Sequence, residues 1–352
     1  MRRALALLTA VVALLATACA SGTEGTPVAT KQAKTTKTSS APFDGERLRD
    51  GEVVQVDKLD GIRLDSPDDG RLRSYGVAVD VVDFGTGDVV EADIDSEYGA
   101  GEDSTLLAFR LRVTPFTDED LSDKVKATVS VDGRQRSLPG FEYTVNDQNE
   151  DQTLSYLVAV PDDRREVELE LKYADLAQQF DLLEGERVGE QPAILYRSAD
   201  APSVYVENLT PQKIDVTNED GEVGTYVVGV TRAELTYFAP RLADVPGDTD
   251  KAWLIVTYEP TGEGVLESNP SATHCVVPFA DFNLADDKGG AYPVVDKHST
   301  MKEYASEQTL VFEVPATLSD ATFTLKSAGF RCADGGVTAS GTATVEMTLP
   351  ED

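Results

Sequence analysis

From residue 43 onward, apolar side chains recur at every second position in short runs, and Gly, Asp and Pro separate those runs. A period of two sends successive side chains to opposite faces, so the pattern predicts half-buried β-strands and an all-β fold. Residues 125–131 alternate in this way and are followed by Asp132-Gly133, a pair suited to a tight hairpin because Gly takes a positive φ without strain. Asp220-Gly221 and Lys288-Gly289-Gly290 predict turns for the same reason. Leu176, Phe180 and Leu183 fit a short helical turn about as well as a last strand, and both readings stay open.

The pattern is present twice. Residues 154–172 align without a gap beside residues 308–326: Tyr156, Val158 and Val160 match Leu310, Phe312 and Val314, and each trio leads into Val-Pro. Val167, Leu169 and Leu171 then match Ala321, Phe323 and Leu325. Pro161 and Pro315 lack the N–H that a ladder needs, so each predicts a strand end or an edge. Upstream, Leu107, Phe109, Leu111, Val113 and Pro115 align with Ala252, Leu254, Val256, Tyr258 and Pro260, and the stretch from Gly76 aligns with the stretch from Gly229. A self-similarity of one domain length predicts two copies of one antiparallel β-sandwich, at 43–185 and 203–352, joined by a linker over 186–202.

The order of these strands, with Phe312-Glu313-Val314-Pro315 and the Asp287-Lys288-Gly289-Gly290 hairpin, resembles the Ig-like domains of Gram-positive, actinobacterial-type surface lipoproteins. These are sometimes grouped as immunoprotective extracellular domains. The first repeat departs from the pattern in Val158-Ala159-Val160-Pro161 and in a longer acidic insertion after Val90. The resemblance implies an extracytoplasmic tandem sandwich and supplies no catalytic residues.

The N-terminal region is of another kind. Met1-Arg2-Arg3 precedes thirteen mostly apolar residues, 4–16. Crossing about 30 Å of hydrocarbon takes roughly 20 helical residues, so this run predicts a signal peptide over 1–18 rather than a membrane span. Ala16-Thr17-Ala18-Cys19 resembles the lipobox of bacterial lipoproteins, with Ala16 where Leu is usual and Leu15 one place early. Cysteine parity supports lipidation of Cys19, because it leaves Cys275 and Cys332 as an even pair for a disulfide in an oxidising compartment. Residues 20–42 are Thr, Ser, Ala, Gly and Lys with almost no large apolar side chain, which predicts a flexible tether reaching on the order of 25 Å.

Charge narrows the partners. The chain has 31 Lys+Arg against 63 Asp+Glu, a formal net charge of −32. Such a body repels phosphate backbones, so nucleic acid is not expected as a partner. The tether is basic, with Lys31, Lys34 and Lys37 against Glu24, and sits beside the expected membrane anchor.

Catalytic chemistry finds little support. Only His274 and His298 could serve as a base, and no Gly-x-Ser-x-Gly elbow precedes a helix. His274, Cys275, His298 and Cys332 match no finger-like zinc spacing, and secretion favours the Cys275–Cys332 disulfide. Asp93, Asp95 and Glu97 set alternating carboxylates near Gly99 and suggest Ca²⁺, but an EF-hand would want Gly at Tyr98. Trp253 lies in a strand apolar on both faces, which predicts core rather than a sugar platform. The expectation is a non-enzymatic, cofactor-free protein, lipid-anchored through Cys19 at the extracellular face of the membrane, whose sandwich loops meet an unidentified envelope partner. The alternative is a Ca²⁺-dependent adhesion or solute-binding module.

Overall fold

The alternating runs become strands in the computed structural model, which describes residues 43–93, 96–117, 119–145, 151–239, 245–246, 248–264, 281–302, 305–326 and 338–351. Residues Asp44–Asp352 form one compact unit. Its first half carries β1 (Glu46–Arg47), β2 (Val53–Val56), β3 (Arg71–Ser74), β4 (Val77–Gly87), β5 (Val89–Asp93) and β6 (Ser96–Gly99). There follow β7 (Ser104–Pro115), β8 (Val125–Val131), β9 (Arg134–Ser137), the helical turn α1 (Phe141–Thr144), β10 (Gln152–Pro161), β11 (Val167–Tyr173), β12 (Leu176–Asp181) and β13 (Glu186–Val188). A 3₁₀ turn, Ala193–Tyr196, leads into the second half. That half has β14 (Ser203–Glu207), β15 (Gln212–Thr217), β16 (Val223–Thr236), β17 (Lys251–Gly264), β18 (Phe282–Asp286) and β19 (Ala291–Tyr292). It ends with β20 (Val294–Lys302), β21 (Ala305–Pro315), β22 (Asp320–Lys326), β23 (Thr338–Ser340) and β24 (Thr342–Thr348).

Each half is a β-sandwich of Ig-like, all-β type. In the first, a sheet ordered β2-β10-β7-β4-β3 faces a sheet ordered β13-β12-β11-β8-β9. Phe109, Leu111, Tyr156 and Val158 from one sheet meet Val129, Leu169, Leu171 and Phe180 from the other in a single core. In the second, β20-β21-β17-β16-β15-β23 faces β19-β18-β22-β24, with Leu254, Tyr258 and Phe312 packed on Leu284, Phe323 and Val345. The strand order β10-β7-β4 recurs as β21-β17-β16, and β12-β11-β8-β9 recurs as β24-β22-β18-β19. Leu176 belongs to β12, so the strand reading of that segment prevails over the helical one.

Register corrects the upstream alignment. Val158 pairs with Leu107, and its counterpart Phe312 pairs with Leu254. Leu107 therefore corresponds to Leu254 rather than to Ala252. The ladder between β4 and β7 skips Val82, and that between β16 and β17 skips Thr231. Because Val81 faces Leu111 and Val230 faces Tyr258, the two bulges coincide, and Gly76 does not correspond to Gly229. A slip by an even number of residues keeps every side chain on its face, which is why alternation alone did not detect it.

The acidic insertion after Val90 forms the β5–β6 hairpin rather than an open loop, and β1 pairs beside it. Val90, Ala92, Leu48 and Ala100 lie on Leu106, Ala108, Leu157 and Ala159, the second face of the β10-β7 ladder. This third layer explains the unbroken apolar run in β10, which is buried on both faces. Trp253 is 8 % exposed, as its strand predicts, but packs with Ala239 and Val311 in a small cluster apart from the main core.

Candidate functional site

The stretch 186–202 is structured and ties the sandwiches together. Its start, β13, extends the first sandwich. Its 3₁₀ turn buries Ile194 and Leu195 in the core of the second. The most elaborate polar arrangement among the described residues surrounds this joint.

It begins at the free edge of β3. Gln178 on β12 occupies an inward position between Leu176 and Phe180 and is 1 % exposed. Its side-chain Oε1 accepts the backbone N–H of Arg73 at 2.9 Å, and its Nε2 donates to the Arg73 carbonyl. The amide thus stands in for a neighbouring strand at an edge that would otherwise leave buried backbone groups unpaired. Tyr196 donates its hydroxyl to the same Oε1 at 2.5 Å, and burial pushes that phenol above its ordinary range.

Arg73 itself is 2 % exposed. It donates to Asp80 at 2.7 Å and to the Ala199 carbonyl at 3.0 Å, and Arg112 holds the other oxygen of Asp80 at 2.7 Å. A buried guanidinium is tolerable only with such partners. Arg187 stacks on the Tyr196 ring at 3.8 Å and reaches Asp69 at 2.9 Å. Arg71 grips the same carboxylate at 2.8 and 3.1 Å. The Arg71 hydrogen bonds hold Asp69 below its ordinary value of 3.8, against the opposing effect of burial. On the far side, Arg197 donates to the Leu318 carbonyl at 2.5 Å and to that of Ala316 at 3.3 Å. Tyr75 and Tyr173 from the first sandwich close around Phe238 of the second, with ring centroids 5.1 to 6.0 Å apart.

A cleft of about 790 Å³ opens beside this network, walled by Ser66, Asp68, Phe84, Glu184, Glu186 and Tyr196. A neighbouring hollow of about 690 Å³ shares Phe84 and adds Arg63, Asp65, Asp162 and Arg164. Both are wide open and polar. Through Tyr196 and Arg197 the linker is hydrogen-bonded to both sandwiches.

None of the site residues expected from sequence is among the described residues of this joint. Cys19, His274, Cys275, Cys332 and Asp95 lie outside the described residues, as does the side chain of Asp93. Glu97 is exposed on β6, opposite Glu91, and His298 stands on β20 opposite Thr309. Among the described residues there is no group of three His, Cys, Asp or Glu placed to hold a metal ion. The joint residues were missed. The available signal was a polar Gln at an inward position of an alternating strand.

The fold thus defines an all-β tandem-sandwich protein of Ig-like type. No family model matches the chain, and no curated protein matches it. Among solved structures it is similar to one described as the crystal structure of bovine butyrophilin, at 8 % identity over 70 % of this chain and 91 % of that one. The TM-score is 0.14, so the assignment of fold rests on the strands and sheets above and not on this likeness.

Proposed function

We propose that this chain is a non-enzymatic surface interaction module, held at the extracellular face of the membrane by a lipid on Cys19. The observation that carries the reading is the joint. Its buried polar groups pair with one another and with the linker at Tyr196 and Ala199, and Arg197 ties the linker to the second sandwich, an arrangement that suits a protein that presents surfaces rather than one that performs chemistry. The short apolar run at 4–16, the Ala16-Thr17-Ala18-Cys19 motif and the polar tether support the anchor. Ig-like sandwiches carry their contacts on loops and faces set by a rigid scaffold.

The test has two parts. Metabolic labelling with a fatty acid in a bacterial host should mark the wild-type chain, and Cys19→Ala should lose the label and release the protein from the membrane fraction. Unlabelled wild-type protein found free in the medium would remove the anchor. For the module, immobilised residues 44–352 should retain an envelope component that a single-sandwich control of similar charge does not.

A further inference from the structure

In the sheet β13-β12-β11-β8-β9 of the first sandwich, β9 is an edge strand, and every one of its residues is exposed. The two-residue turn at Asp132 and Gly133, both at positive φ, makes Val131 and Arg134 a hydrogen-bonded pair. Leu138 keeps the same phase, donating to the Ala127 carbonyl at 3.0 Å. Arg134, Arg136 and Leu138 therefore turn their backbone groups towards β8, and Gln135 and Ser137 turn theirs away from it. Neither outward N–H has a partner among the described residues. The Gln135 carbonyl receives only the adjacent Arg136 guanidinium, at 3.3 Å. A row of unpaired backbone groups is a template for a further strand.

The side chains restrict which strand fits. Arg134 and Arg136 lie opposite Val131 and Val129, so both are on the core-side face of the sheet, yet both are exposed. Neither carries an ion pair among the described residues. A hollow of about 180 Å³ beside them is walled also by Asp50, Asp132 and Pro161. Both carboxylates have other partners. Asp50 accepts the Ser104 hydroxyl, and Asp132 accepts the N–H groups of Arg165 and Glu166 at 3.0 and 3.2 Å. Pairing β9 with its own copy about Gln135 or about Arg136 would set arginine opposite arginine, which is destabilising. The guanidiniums thus select against a second copy and in favour of carboxylates. The equivalent strand of the second sandwich, β19, has only Ala291 and Tyr292 and no charge.

We infer that β9 takes up an extended acidic segment of a partner protein as a sixth strand of its sheet. Gln135 and Ser137 supply the main-chain ladder, and carboxylates at alternate positions of the partner stand opposite Arg134 and Arg136. The other face of β9 presents Gln135 and Ser137, so the intervening partner positions are uncharged. Physiological salt screens the negative charge of the body beyond about 8 Å, which leaves the nearest groups to decide the contact. Such docking rests on the interaction-module reading but not on the anchor, and capture of an envelope component can succeed where binding at β9 fails.

The probe is a dye-labelled, end-blocked peptide of about eight residues that alternates glutamate with threonine, added to residues 44–352 at physiological salt. Its fluorescence anisotropy should rise saturably as the protein is titrated to about 1 mM. The same peptide with glutamine for glutamate should bind at least several-fold more weakly, because it forms no cross-strand ion pairs. N-methylation of the threonine amides keeps every charge but removes the ladder donors, and should abolish binding. R134Q/R136Q should bind the glutamate peptide several-fold more weakly than wild type does, with thermal melting to verify its fold. A glutamate peptide that does not bind at any concentration overturns the inference. So does equal binding of the N-methylated peptide, which would reduce the contact to charge alone. Equal binding of the glutamine peptide, or undiminished binding by R134Q/R136Q, overturns it as well.

Discussion

At the scale of single residues, the joint is an arrangement of groups that each answer a specific need. Arg73 needs acceptors because it is buried, and it has Asp80 and the Ala199 carbonyl. The edge of β3 needs a partner, and Gln178 supplies one from the facing sheet. Asp69 is the titratable member. Its carboxyl is held low, so its ionised form stabilises the fold above the ordinary value of 3.8, and that contribution is lost as pH falls through its depressed value. Asp69→Asn should lower the melting temperature at neutral pH, and the gap from wild type should close as pH drops below that ordinary value. Melting curves that stay parallel down to acid pH would remove Asp69 from the ledger of stabilising groups. Nothing local in Arg71-Leu72-Arg73 says that a glutamine more than a hundred residues away will cover this edge.

Elements depend on a few positions where the backbone must turn or where two segments approach closely. Gly133 closes the β8–β9 hairpin at φ +80 with open space where a Cβ would go. Gly185 follows β12 at φ +77, and a Cβ there would stand 2.5 Å from the Phe84 ring. Both replacements by Ala incur the backbone cost, but only Gly185→Ala also forces the ring aside. Urea denaturation should show a loss of about 1 kcal/mol for Gly133→Ala and about 2–4 kcal/mol for Gly185→Ala. Equal losses would mean that Phe84 yields without resistance. The Asp132-Gly133 turn was legible because turn chemistry is local. The role of Gly185 was not, since it follows from where Phe84 on β4 is carried by the sheet.

On the scale of the whole molecule, the linker makes two sandwiches into one body. Ile194 and Leu195 belong to the second core, while Tyr196 and Ala199 are bound to the first sandwich. Unfolding one sandwich therefore strips contacts from the other. Residues 44–352 should give a single calorimetric transition, and R197A/F238A, which removes the carbonyl contacts and the aromatic closure, should resolve it into two. Two transitions in the unmodified chain would show that the sandwiches melt independently.

By itself the sequence determined that the chain is all-β, where its hairpins turn, and that one strand plan is used twice. Those properties depend on side-chain period and on turn residues, both of which are local. Only the tertiary structure decided the true register of the repeat, because an even slip leaves every apolar residue on the same face. It also decided that the acidic insertion is a third layer, that the linker over 186–202 is bound to both sandwiches, and that lysines and carboxylates gather at opposite ends of one sheet face. Each of these arises from contacts between strands far apart in the chain, and alternation along a single strand carries no record of its neighbours.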